Sequence, residues 1–289
     1  MNPVPLMGVS AALLIVGLLA WAGSHGGVIA GSLPLFVWCA VIALGVNWIV
    51  FGHAWAKHTE QYYDLTGSIT YLIALALALV VAGKFDTRSL VIALCIAVWA
   101  LRLGPFLFMR IKRSGEDRRF RALKHNFGMF FMTWTLQGTW VFVTASCALA
   151  ALTSATVVAV DGIFALGVVL WLVGFVIEVV ADNQKTAFRA DPQNEDHFIT
   201  TGLWAWSRHP NYFGEILLWC GIAVMAFPAL VGWQLATLIS PLYVVVQLTA
   251  ISGVRMLEAR GNRRWGEDPE YQAYKARTPM LVPFPPRKA

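Results

Sequence analysis

Seven or eight stretches of this chain are apolar over close to the roughly 20 residues that a helix needs to cross the hydrocarbon of a bilayer. They fall at 5–22, 33–52, 66–83, 89–109, 127–152, 158–181, 212–231 and 234–254. Lipid offers no hydrogen bonds to backbone N–H and C=O groups, so each stretch must satisfy its own as an α-helix. The expected fold is therefore an all-α integral membrane bundle of seven or eight transmembrane helices. The link between the last two stretches, 227–233, is so short that they must form a tight hairpin, with Pro228 and Gly232 making the turn.

Composition excludes the soluble alternative. Charged residues make up 13% of the chain, about half the share found in ordinary soluble domains. The 58% hydrophobic content and 13 Trp suit lipid as solvent with indoles at the interfaces. The net charge of +6 would point to nucleic acid in a soluble protein, but here it reports topology. With both termini in the cytoplasm, only Lys84 and Arg88 fall outside and Arg102 falls within a span, as the positive-inside rule requires. The basic run 110–121 then lies on the inner leaflet, attracted to anionic lipid or to a ligand. Met1 to Trp21 lacks a basic leader and a cleavage site and reads as the first span, not as a removed signal peptide. Cys39, Cys95, Cys147 and Cys220 each stand alone in an apolar segment, which indicates neither a metal site nor a disulfide framework. No repeat or linker divides the chain, so residues 1–289 read as one membrane domain with a cytoplasmic C-terminal segment at 255–289.

Ionisable groups at membrane depth cost roughly 2.5–3.5 kcal/mol each even on mild scales, so they must face protein or water. The residues concerned are Glu60, Asp64, Arg102, Glu178, Asp182 and Glu215. Glu60, Asp64, Gly67 and Tyr71 recur at i, i+4, i+7 and i+11, one stripe of a helix that places two acids and a phenol along a cavity wall. Interfacial capping is the plainer task for Glu60 and Asp64, and an internal ion pair or carbonyl clamp is the plainer one for Arg102. The densest polar region joins the sixth and seventh spans. It holds Asp182, Lys185, Arg189, Trp204, Trp206, Arg208, His209, Asn211, Tyr212 and Glu215. Guanidinium forks hold phosphate or carboxylate, and aromatic faces stack on planar rings, so this mixture suits a large anionic ligand with an aromatic part. Pro210 can open the next helix, whose N-terminus favours an anion. Past the last span, Glu258 stands one turn from Arg255, where it can orient that guanidinium or bond a ligand hydroxyl.

Several motifs together resemble the steroid 5α-reductase family, in particular its bacterial membrane branch. They are Gly115-Glu-Asp-Arg-Arg-Phe120, the segment 182–189, Thr200-Thr-Gly-Leu-Trp204, Ser207-Arg-His-Pro-Asn-Tyr-Phe-Gly-Glu215 and the tail Glu258…Trp265-Gly…Tyr271…Tyr274…Pro283. The resemblance runs from about Asp64 to the C-terminus. It implies a helical membrane fold of the bacterial inner membrane with NADPH in a cytosol-facing cavity, and hydride transfer to the conjugated double bond of a lipid enone, a Δ4-3-oxosteroid by family expectation. The chain has no glycine-rich dinucleotide fingerprint after a strand, consistent with that expectation. By position, Asp182 and Arg189 match the family's acidic and basic cofactor contacts. Asn211 and Glu215 match the Asn and Glu of its next helix, and Arg255 and Glu258 fall where its last helix closes over the cofactor. The expected partners are membrane lipids and a lipid or steroid substrate, with neither nucleic acid nor an obligatory protein.

Two positions depart from the family pattern. Asp64, with Glu60 as rival, stands nearest the family's substrate Glu, and Trp99 occupies the position of its Tyr. Indole is a donor only and does not replace a phenol as an acid, so the proton donor is left open, with Tyr71, Tyr62 and Tyr63 as the candidates for that part. A second family, the S-adenosylmethionine-dependent isoprenylcysteine-type membrane methyltransferases, is similar at Arg-His-Pro-x-Tyr and in the tail. The segment 182–189, the motif at 115–120 and the excess of cations favour the dinucleotide over a cationic sulfonium.

Overall fold

The computed structural model describes residues 3–285, apart from the side chains of Ser114 and Arg118. Among them, eight helical segments are long and apolar enough to cross a membrane. Helices α1 (Val4–Gly23), α2 (Leu35–Lys57), α3 (Tyr63–Ala82), α4 (Thr87–Ser114), α5 (Phe127–Thr153), α6 (Gly162–Ala190) and α7 (Pro210–Ala226) follow the expected order. The eighth span is assembled from pieces: a 3-10 segment Gly232–Leu238, α8 (Ile239–Val246), a π turn Gln247–Ile251 and α9 (Gly253–Trp265). A short helix, α10 (Pro269–Arg277), follows. One two-residue hairpin, Ile29–Ala30 with Leu33–Pro34, interrupts the helical chain.

Local chemistry sets most of the boundaries. Asp86 and Asn126 accept the backbone N–H of Ser89 and Met129, each three residues on, and so cap α4 and α5. Pro210 opens α7 where its missing donor costs nothing. Two boundaries differ from the sequence reading. The polar stretch beginning at Asp182 is not a loop but the last turns of α6, because Gln, Lys, Ala and Arg are good helix formers and no breaker precedes Pro192. Residues 255–265 likewise continue the helix of the last span as α9. That span changes winding at 247–251, where the Ser252 N–H and hydroxyl both donate to Gln247 O at 3.0 Å.

The packing falls into two compact units. The first comprises the chain up to Phe164 together with Ala223–Ser240. Its centre post is α5, buried without a break over 141–154 and packed by α1, α2 and α3. Gly138 allows α2 to come close: a Cβ there would lie 2.6 Å from Ala43 O. At the end of this unit where α3 leads into α4, Lys84 and Arg88 are buried, and they act as carbonyl clamps. Lys84 Nζ donates to Ala151 O, Ser154 O and Thr156 O at 2.8, 2.9 and 2.6 Å. Arg88 donates to Val158 O, Ala159 O and Met225 O and pairs with Asp161 at 3.1 Å. These two cations satisfy carbonyls that follow helix ends, which neither lipid nor an apolar side chain could do.

The second unit comprises Ala165–Ile222 and the chain from Pro241 onward. Here α6 and α7 touch backbone to backbone. A Cβ on Gly174 would lie 2.6 Å from Gly214 O, one on Gly214 2.6 Å from Gly174 O, and one on Gly221 2.6 Å from Gly167 O. The glycines are seven residues apart on each helix, so they share one face across two turns of an antiparallel crossing.

Two substitutions test these features. Lys84→Met leaves three carbonyls without their shared donor and should destabilise detergent-solubilised protein by roughly 1–3 kcal/mol, read as a lowered thermal midpoint. Gly214→Val forces α6 and α7 apart, with a loss at or above the upper end of the roughly 1–3 kcal/mol usual for overpacking.

Candidate functional site

In the second unit, the last turns of α6 and the first turns of α7 place the polar residues. Asp182, 9% exposed, accepts a hydrogen bond from Asn211 Nδ2 at 3.3 Å. That bond fixes the amide of Asn211 so that its Oδ1, buried and without a protein partner, is the atom left over. Glu215 stands one turn further along α7, half-buried. Lys185 lies 4.5 Å from the centre of the Trp204 ring, and the Trp204 indole N–H is tied to Ala181 O at 3.1 Å. Arg189 spans Phe188 and Trp265 at 5.7 and 5.8 Å, and Arg264 lies 5.0 Å from the same indole.

The Ser-Arg-His segment is strapped by the C-terminal residues. Ser207 Oγ donates to Leu281 O at 2.7 Å and accepts the N–H of His209 at 3.1 Å. The backbone N–H of Arg208 donates to Pro279 O, and that of Phe284 to Trp206 O. The Arg208 guanidinium donates to Lys275 O at 3.2 Å and lies 3.3 Å from Glu258, whose same oxygen receives His209 Nε2 at 3.0 Å. Lys275 Nζ approaches the other carboxylate oxygen at 3.9 Å. Tyr212 stacks on the His209 ring, 5.8 Å between centres and 12° from parallel. Burial pushes the His209 imidazole below its usual range, with Lys185 and Arg208 adding to the effect and the Glu258 hydrogen bond opposing it. Burial also raises the Tyr274 phenol, which stays protonated and donates to Trp204 O at 2.7 Å.

The structure thus joins Asp182 with Asn211, and Arg208, His209 and Tyr212 with Glu258. Trp206 and Arg255 stand exposed. Sequence reasoning missed Ser207 and Lys275, whose parts depend on the strap formed by 279–284. The closely spaced Pro279, Pro283 and Pro285 were the signal that this tail is not helical.

The acidic residues near α3 and Arg102 belong to the first unit. Glu60 precedes α3 and so leaves the helical stripe, and it is 3% exposed. Its Oε1 accepts the N–H of Asp117 at 2.9 Å and its Oε2 pairs with Lys124 at 3.0 Å. Both oxygens therefore hold the segment 115–125, which is the work of a loop anchor. The carboxyl of Asp64, one helix turn later, has its Oδ2 buried with no protein partner. The Arg119 guanidinium, which grips Asp117 through Nε at 3.0 and 2.9 Å, lies within electrostatic reach of Asp64. These contacts hold Asp117 below the usual carboxylate range even though burial pulls the other way. Tyr71, two turns along α3 from Asp64, is 3% exposed and meets Trp99 edge to face at 5.4 Å. Tyr63 donates to Thr133 O at 3.0 Å, and Tyr62 is exposed and stacks with Phe108. Arg102 is half-buried on α4, its guanidinium 5.6 Å from the Phe106 ring centre.

A family model described as "Protein of unknown function (DUF1295)" matches residues 48–278. Among curated proteins, the chain is 28% identical over 121 residues to 3-oxo-5-alpha-steroid 4-dehydrogenase 1 of Mus musculus, covering 42% of each chain. The same-named protein of Rattus norvegicus is 27% identical over 121 residues, or 42% of this chain and 41% of that one. That of Bos taurus is 32% identical over 76 residues, or 26% and 29%. The match thus spans less than half the length of each of these relatives, and it bears out the kinship with steroid 5α-reductases. No solved structure matches.

Glu60→Ala should strip Lys124 and the Asp117 N–H of a buried partner, at roughly 3–5 kcal/mol for a broken buried pair. The expected outcome is markedly faster tryptic cleavage within 112–124, with Glu60→Gln intermediate because its amide oxygen still accepts from Asp117.

Proposed function

We propose that this chain, which belongs to the DUF1295 family and is kin to the steroid 5α-reductases, is an NADPH-dependent membrane reductase. Its substrate would be a conjugated lipid enone, with a Δ4-3-oxosteroid the candidate that the relatives' name supplies. The observation that carries the reading is the pair of buried acceptors, Asn211 Oδ1 and His209 Nδ1, left without protein donors in a segment that also carries the cations Lys185, Arg189 and Arg208. A dinucleotide offers hydroxyl and amide N–H donors to such acceptors, and phosphates to Lys185, Arg189 and Arg208. When bound, NADPH would supply a hydride to the β-carbon of the enone.

The chain's own groups would do the rest. Asp182 orients Asn211, Glu258 orients Arg208 and His209, and Tyr212 packs the imidazole, so the cofactor contacts are held in place before binding. Glu215, Trp206 and Arg255 complete the proposed cofactor set of the second unit, and Arg102 belongs to the first. Asp64, whose Oδ2 is buried without a protein partner, is the proposed donor to the carbonyl oxygen of the enone, where it would stabilise the negative charge that develops as hydride arrives. Tyr71, on the same face of α3, is the second donor. With Glu60 occupied by Lys124 and Asp117, Asp64 is the carboxyl assigned to the chemistry. The distribution of Lys and Arg supports a cytoplasmic position for both termini, and the proposed location is the bacterial inner membrane, with the cofactor site facing the NADPH of the cytosol.

Thermal stability of the full chain in detergent tests this reading. NADPH at one hundred times its Kd should stabilise by about 2.7 kcal/mol, and Arg208→Ala should abolish the shift. Asp64→Asn should leave the shift intact while lowering enone reduction, followed at the NADPH absorbance, by roughly 10²- to 10⁴-fold. Stabilisation by S-adenosylmethionine alone would replace the hydride donor with a methyl donor and overturn the assignment.

A further inference from the structure

His209 is 5% exposed, and its two ring nitrogens face different surroundings. Nε2 lies 3.0 Å from Glu258 Oε1, while Nδ1 is enclosed and meets no protein donor or acceptor. A carboxylate cannot share a short contact with an imidazole lone pair, so the proton of the neutral ring sits on Nε2 and the lone pair sits on Nδ1. The ring cannot easily turn away, since Tyr212 stacks on its face and the Ser207 hydroxyl accepts the N–H of its own backbone.

We propose that Glu258 is a positioning residue that holds His209 as its Nε2–H tautomer, so that Nδ1 accepts a hydrogen bond from an amide N–H of the bound dinucleotide, a group that can only donate. Cofactor release then follows when that nitrogen takes up a proton. The proposal rests on the reductase reading and adds to it the protonation state on which binding depends.

The charges around the ring set the direction. Arg208 from the same loop and Lys185 from α6 disfavour an imidazolium, as does burial. Glu258 from α9 favours it, itself shared with Arg208 and with Lys275 from α10. Tyr212 from α7 contributes a neutral face. The balance keeps the folded-state value below the ordinary one, so His209 is neutral and accepting at neutral pH. As pH falls through the lowered value, Nδ1 becomes a donor facing donors, and the bond to the cofactor is lost.

Two measurements on the full chain in detergent test this. Nitrogen NMR with ¹⁵N-histidine, on protein without cofactor, reads the tautomer directly; the His209 signals are the set missing from His209→Asn among the six histidines. The expected result is a protonated Nε2 and a bare Nδ1 at neutral pH, and a bare Nε2 or a doubly protonated ring would overturn the proposal. NADPH affinity is then measured against pH. Wild type should lose about tenfold in affinity per pH unit below the His209 transition, the slope of one linked proton. His209→Asn, whose amide oxygen sits near the place of Nδ1 and does not titrate, should bind without that acid limb. Glu258→Gln keeps an acceptor but removes the charge, and should move the limb to lower pH. An unchanged acid limb in His209→Asn would assign the titration to another group and overturn the proposal. If the tautomer is as expected but NADPH binds at no pH, the reductase reading has failed and the cofactor's part of this proposal falls with it, while the Glu258–His209 geometry stands.

Discussion

Where α6 crosses α7 there is no side chain between the two backbones. Gly174 meets Gly214, and Gly167 meets Gly221, at distances that no Cβ would fit. In lipid there is little hydrophobic drive to bring helices together, so close approach and the dispersion it allows must do that work. The crossing also fixes a register. Asp182 lies two turns beyond Gly174 on α6, and Asn211 lies one turn before Gly214 on α7, so the same contact that joins the helices brings the carboxylate to the amide. Rotation of either helix by one residue, about 100°, would separate them. The orphaned Oδ1 of Asn211 is thus a product of helix packing before it is a feature of any site.

Charged residues in this chain divide by what surrounds them. Lys84 and Arg88 are enclosed by carbonyls and have little left to offer a ligand. Glu60 is similarly spent on Lys124 and the Asp117 N–H. In His209 and Asn211, by contrast, part of the hydrogen-bonding capacity is engaged for orientation and part is enclosed without a partner. Burial of a polar atom without a partner costs roughly 1–3 kcal/mol, and a bound ligand that supplies donors would offset that cost at these neighbouring positions. The distinction between anchors and open acceptors rests on this accounting, not on charge or depth in the membrane.

Much of the architecture was legible in the residues. Eight apolar stretches became eight spans because hydropathy over about 20 residues is a strong signal when the backbone has no other way to satisfy itself. The tight link around Pro228 and Gly232 was equally readable, and Gly232 adopts a positive φ of 54° there. The ends of the apolar stretches were not the ends of the helices. Residues 182–190 and 253–265 are polar and still helical, because helix propensity does not depend on apolar character once the chain leaves the hydrocarbon. The π turn before Gly253 left no trace in periodicity either, since it arises from one serine bonding back five residues. The Ser-Arg-His-Pro-Asn-Tyr segment stood out in the sequence as part of a polar, cationic and aromatic cluster, but its strap did not. Pro279, Met280 and Leu281 contribute carbonyls, and backbone acceptors carry no residue-type signature.

The same limit explains why Glu60 and Asp64 stood level in the sequence. At i and i+4 they share a helical face, and either can be drawn as the acid of a substrate cavity. The deciding fact is where α3 begins. Tyr63 is its first residue, so Glu60 lies in the preceding turn, with its carboxylate directed to the loop that contains Asp117 and Lys124. Asp64, in the first turn of the helix, keeps an oxygen buried and without a partner. A shift of helix onset by one turn would have made Glu60 the candidate and Asp64 a lining residue. Helix starts are set by caps and turns, which are local and weakly encoded; α3 has no side-chain cap at all. The assignment of the acid therefore depends on the contact between Glu60 and the 115–125 segment, a long-range pairing that tethers the chain ahead of the helix and leaves Asp64 as the first acid on it.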